Sequence, residues 1–113
     1  MSAATTIAPG LNPMQQQHMR ALARANEVRL ARAALKREIA AGSRSALEVV
    51  RDVPWEAESM AVGELLAAQR RWGKARSRKL ISSAGLKETK EVGDLTERQR
   101  RVLAGALEAK AAT

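Results

Sequence analysis

Between Arg70 and Lys79 the chain reads Arg-Arg-Trp-Gly-Lys-Ala-Arg-Ser-Arg-Lys, six cations in ten residues with no acid among them. Like charges crowded this closely repel one another and lower intrinsic stability, so neutralisation by a polyanion is the simplest reason for the cluster. Gly73, Ser77, Leu80, Ile81 and Ala84 recur at helical spacing and share one face of a helix that begins near Gly73. Lys74 and Arg78 line one edge of that face, Arg76 and Lys79 the other. A turn that feeds a helix start and is ringed with cations can hold phosphate, through open backbone N–H groups and side-chain charge together. Arg70, Arg71, Gly73, Lys74, Arg76, Arg78 and Lys79 are therefore candidate anion-binding residues.

A second basic stripe, Arg29, Arg32 and Lys36, runs beside an apolar seam of Val28, Ala31, Leu35 and Ile39. Such a stripe is either the wet face of a helix or a second contact surface, and only proximity to the first cluster in the fold can separate the two. Catalysis finds little purchase. His18 is the single histidine and has no acidic neighbour at helical spacing, whereas general acid–base work needs an oriented partner. The carboxylates Asp52, Glu56 and Glu58 span a proline, so neither a metal nor a cofactor is expected, and no enzyme. Trp72 reads as a wedge at a turn. Single-strand binders stack bases on several aromatics, often on a sheet, whereas this chain has two Trp and no Tyr or Phe. Duplex nucleic acid gripped by its backbone is preferred.

The 113 residues allow one domain, or a domain of about 60 residues with a helical appendage. The net charge of +8 is unevenly placed. Residues 13–41 hold six basic and two acidic groups (+4), 42–69 two and five (−3), 70–79 six and none (+6), and 80–113 six and five (+1). Two basic blocks thus flank an acidic one, which points to two contact surfaces. The absence of cysteine excludes disulfides and thiolate chemistry and fits a reducing cytoplasm. No apolar run approaches the roughly 20 residues needed to cross a bilayer. A membrane-surface helix needs large apolar groups opposite its charges, where the first helix offers mostly Ala.

Local signals give an all-α chain: a long N-terminal helix, then a compact bundle of short helices. Residues 1–12 read as a disordered tail. Asn12 and Pro13 suit the cap and first position of a helix over 13–41, ended by Ala41-Gly42-Ser43. Its seam is poor before Val28, so that half is expected to project unpacked. A helical core spans 42–110. Ser45-Ala46-Leu47-Glu48 is a capping box opening a helix to about Val53, before Pro54. One turn over 55–58 precedes a helix over 60–69 with Val62, Leu65 and Leu66 inward. The basic helix over 73–84, a loop over 86–95 and a helix from Thr96 to about Ala109 complete the chain.

The residues Val62-Gly63-Glu64-Leu65-Leu66, Trp72-Gly73-Lys74-Ala75-Arg76-Ser77, Leu80-Ile81 and Glu97-Arg98-Gln99-Arg100 resemble the actinobacterial integration host factor family over roughly residues 20–107. The resemblance implies a helix–two-turns–helix module at about 62–84, of a kind also seen in a small-subunit ribosomal protein. It implies a monomeric nucleoid-associated protein that binds and bends or compacts duplex DNA with little sequence preference and supports phage recombination, with an integrase as possible partner. By position, Gly73 matches the glycine at the turn, Lys74 the lysine after it, Arg76 a basic position and Ser77 a small residue allowing close packing. Lys87, Thr89 and Lys90 join Arg29, Arg32 and Lys36 as candidates for a second DNA contact. Two departures stand out. Arg71 replaces a glycine, removing a position free to adopt positive φ, so a different turn is expected. The family's Arg-rich loop is reduced to Thr89, Lys90 and Glu91, with Gly93 where another Arg would stand. The rival readings are an RNA- or ribosome-associated protein built on the same module, and a helical adaptor for an acidic protein.

Overall fold

Asn12 and Gly42 bracket the longest helix, α1 (Pro13–Ala41). The computed structural model describes residue 10 and residues 12–111, so the tail expected over 1–12 lies outside the described residues apart from Gly10 and Asn12. Asn12 Oδ1 accepts from the Gln15 N–H at 2.7 Å and Gln15 Oε1 accepts from the Asn12 N–H at 3.0 Å, closing a reciprocal cap. Gly42, at φ 84°, ends the helix by donating to Ile39 O at 3.1 Å.

Then follow α2 (Ala46–Arg51), a 3-10 turn (Trp55–Ala57), α3 (Val62–Ala67), α4 (Lys74–Ser83), a second 3-10 turn (Val92–Asp94) and α5 (Glu97–Ala111). The expected all-α class holds: the described residues contain no strand, only an isolated antiparallel bridge between Ala61 and Glu91. α2 packs on α5 and α3 on α4. Their apolar faces meet in one core, with Val49, Val50, Met60, Leu65, Leu66 and Leu103 fully buried. Burial of this kind is the main stabilising term in a chain with so few aromatics. A partly buried guanidinium also ties the layers: Arg100 donates to Val50 O at 2.9 Å and to Leu95 O at 3.2 Å.

Only Leu35 and Ile39 of α1 enter the core; Val28 and Ala31 are half-buried. Of residues 13–27 all but Gln16 and Ala23 are exposed, so this half of α1 rests on helix propensity more than on packing. It is tethered at one point that the sequence did not show: the Arg24 guanidinium lies 4.6 Å over the centre of the Trp55 ring.

Three boundaries differ from expectation. α2 stops at Arg51, two residues early, because Val53 precedes Pro54 and is pushed out of the helical region. α3 is shorter than 60–69, since Ala61 is extended and bridges Glu91 in the following loop. α5 continues to Ala111. The loop over 86–95 is also less free than its composition implies. Its carbonyls at Glu88 and Lys90 accept from the Gly63 and Val62 N–H groups at 2.9 and 2.8 Å, supplying the cap that Ala61 cannot give α3. The Gly93 N–H donates to Glu58 O at 2.8 Å. A side chain at residue 93 would place its Cβ 2.7 Å from that same oxygen, so the close approach requires glycine and excludes the Arg of the related pattern.

Candidate nucleic-acid interface

The junction between α3 and α4 is held by its backbone. The Gln69 N–H and side-chain amide both donate to Leu66 O, at 3.2 and 3.0 Å, and the Trp72 N–H donates to Gln69 O at 3.1 Å. Arg71 sits between them at φ 70°, the one non-glycine residue with positive φ among the described residues. Arg71 thus adopts the left-handed conformation that glycine takes more easily, at a strain of about 1–2 kcal/mol.

Gly73 is the N-cap of α4, at φ −84°, and has no side chain with which to cap. The first helical bond is from the Ser77 N–H to Gly73 O at 3.1 Å, which leaves the donors of the first turn directed outward. No acid occupies that turn. A side chain at residue 73 would meet nothing within 4 Å. Glycine is not demanded here by conformation; its effect is to leave the helix start accessible.

Arg70, Arg71, Lys74 and Lys79 are exposed and have no carboxylate at ion-pair distance among the described residues. The Arg76 guanidinium lies 4.1 Å over the Trp72 ring, which holds its position while leaving its charge in solvent. Trp72 is half-buried against the core, as its reading as a wedge requires. Arg78 differs from its neighbours: its Nε donates to Glu88 Oε2 at 3.0 Å.

Of the second set of candidates, Arg32 and Lys36 are tied into the fold. Arg32 Nε donates to Glu56 O at 3.0 Å and its Nη2 donates to Ser59 Oγ. Lys36 Nζ pairs with Glu64 Oε2 at 2.9 Å, and Arg29 donates to Asn26 Oδ1 at 2.6 Å. Lys87, Thr89 and Lys90 line a separate hollow of about 280 Å³.

A cleft of about 770 Å³ between α1 and the α3–α4 pair brings members of the two sets together: Lys36, Lys74, Arg78 and Thr89 all line it. Arg37, which sequence reasoning missed, lines it too, exposed and without a carboxylate partner among the described residues. The signal was present in the spacing of Ala33, Arg37 and Ala40, a stripe of small residues and one cation next to the apolar seam. His18 is exposed on α1, and no group of three potential ligands able to hold a metal occurs among the described residues. No helix is long and apolar enough to cross a membrane, again among the described residues.

No protein-family profile matches the sequence, and no curated protein matches it. Among solved structures, the fold is similar to that of sIHF bound to an 8-base-pair palindromic DNA, with a TM-score of 0.65 and 25% identity over 77% of this chain and 96% of that one. The fold is thus integration-host-factor-like.

Proposed function

We propose that the protein is a nucleoid-associated architectural protein of the actinobacterial integration host factor kind, binding duplex DNA through its backbone and bending or compacting it. The observation that carries this reading is the conjunction of an acid-free α4 N-terminus without a side-chain cap and the cations Arg70, Arg71, Lys74 and Lys79, which have no carboxylate partner among the described residues, in a fold similar to that of a protein bound to DNA. One phosphate sits against the first-turn N–H groups of α4, and Lys74, Arg76 and Arg71 hold its neighbours. Arg37, across the cleft, supplies the second contact, and two contacts on one duplex favour bending over coating. Arg32 recedes from the interface because its donors serve the fold, while Arg29 bonds only Asn26 on its own helix. Contacts of this kind position without reading bases, so little sequence preference follows.

The protein acts as a monomer in the nucleoid, without cofactor or catalysis, and bent DNA of this sort would suit a phage integrase. With about five phosphates neutralised, the logarithm of the affinity falls with the logarithm of salt at a slope of roughly −4 to −5. Gel shifts of random duplexes in rising salt measure the slope. A salt-independent affinity, or a clear preference for A-form RNA in competition, overturns the proposal.

A further inference from the structure

Four of the six large apolar side chains exposed among the described residues lie on α1: Met14, Met19, Leu22 and Leu30. Met19, Ala23, Asn26, Leu30 and Ala33 follow one another at alternating intervals of four and three, the spacing of a coiled-coil seam, with Leu22 along its edge. The seam lies on the side of α1 turned away from Leu35 and Ile39, so the chain's own core does not cover it. Met19, Leu22 and Leu30 are 51%, 54% and 58% exposed, on a helix whose first half is already short of packing. We propose that this seam pairs antiparallel with the same seam of a second copy of the chain.

The sequence of the seam selects a second copy as its occupant. In the register that sets Met19 against Leu30 of the other copy, Ala23 meets Asn26 of the other copy in the next layer. Arg20 and Glu27 each follow a seam residue by one, a flanking position that meets its counterpart across an antiparallel pair, so Arg20 faces Glu27 of the other copy and the ion pair forms twice. Arg20 has no carboxylate at ion-pair distance within its own chain among the described residues, and Glu27 is half exposed. The bare first half of each α1 then lies along the rooted second half of the other. A parallel pair would give Arg20 no acid and would bring two bodies of charge +8 side by side. Only the layers of Met19 with Leu30 join two large side chains, and Asn26 fixes register at a cost in stability. The contact is therefore thin: the chain binds DNA as a monomer, and pairing sets in where copies crowd, as along a duplex. The consequence alone rests on the DNA reading. The α3–α4 junctions, beside the second half of each α1, stand at opposite ends of the pair, and one pair bridges two stretches of duplex.

The chain has no cysteine, so disulfide trapping reads the pairing without background. Full-length Met19→Cys and Leu30→Cys variants, both at exposed positions, are oxidised without DNA at low salt, separately and mixed, after circular dichroism has checked their helicity. The mixture should give at least about tenfold more cross-linked dimer than either variant alone, because in this register the two copies of residue 19 stand roughly 16 Å apart, beyond disulfide reach. Adding Arg20→Glu to the Met19→Cys chain should lower the yield, and adding Glu27→Lys to the Leu30→Cys chain should restore it. No excess of cross-link in the mixture, or a yield unmoved by Arg20→Glu, overturns the inference. Because these arms contain no DNA, their failure leaves the DNA reading standing. A Leu30→Glu variant should still shift a single duplex but no longer hold two labelled duplexes together, and bridging that persists in it overturns the consequence.

Discussion

The segment of α1 from Arg24 to Arg37 and the α3–α4 junction from Arg70 to Lys79 are both dense in cations, yet their surroundings differ. On α1, Arg24 lies on Trp55, Arg32 on Glu56 and Ser59, and Lys36 on Glu64. Those partners belong to the acidic block of residues 42–69, which folds back against α1; Arg24 pairs in addition with Glu27, Arg29 bonds Asn26 on its own helix, and Arg37 has no carboxylate partner among the described residues. At the junction, although α3 of the same block packs on α4, Arg70, Arg71, Lys74 and Lys79 find no carboxylate among the described residues. A basic stripe is therefore a poor guide to function until the acids that face it are known. Leftover charge, more than local charge density, marks the surface available to a polyanion.

The strongest way to break this contrast is to reverse charge at the junction. Lys74→Glu with Arg76→Glu should lower duplex affinity at least about 100-fold, with helicity by circular dichroism unchanged. Unchanged affinity would remove the α4 start from the interface even if the protein binds DNA. The matching change on α1 should do the opposite. Arg32→Ala removes bonds to Glu56 and Ser59 and should cost about 1–2 kcal/mol in urea unfolding, while shifting DNA affinity by no more than about twofold. A large affinity loss with intact stability would erase the distinction between the two regions.

Smaller effects sharpen it. Glu88→Gln frees Arg78 and removes a negative charge from the cleft, so duplex affinity should rise by roughly two- to fivefold at low salt, with the gain vanishing as salt screens it. Arg71→Gly should add less than about 1 kcal/mol to stability, since relief of the left-handed strain is offset by a more flexible unfolded chain. The same substitution should weaken DNA binding only slightly, by the loss of one cation, which a gel shift alongside the melt would reveal.

Features set by neighbours in the chain were legible from sequence. The caps are examples: Ser45 forms its expected box with Glu48, Asn12 caps α1 as expected, and Thr96 caps α5 through Gln99, because such geometry involves one turn of backbone and nothing else. The helical face of Gly73, Ser77, Leu80 and Ile81 buries its last three members for the same reason. Pairings across the fold were not legible. Glu64 lies 28 residues from Lys36. The capping of α3 by the loop over 86–95 runs through backbone carbonyls, which leave no side-chain pattern to read. The positive φ of Arg71 was not legible for a different reason: that region is associated with glycine, and here tertiary context holds an arginine in it. The cleft arises from the juxtaposition of α1 with α3 and α4, so its alanines were visible as helix formers and not as a floor.

The pairing of each tryptophan with a guanidinium has an optical consequence. Trp55 reports on the tether of the projecting half of α1, and Trp72 on the turn that leads into α4. There is no tyrosine or phenylalanine to obscure them. Emission from a Trp55→Phe variant would therefore follow the junction alone, and emission from a Trp72→Phe variant would follow α1 alone. The chain carries two separately addressable fluorophores, one on each of the regions whose behaviour differs, and needs no added label to be watched in solution.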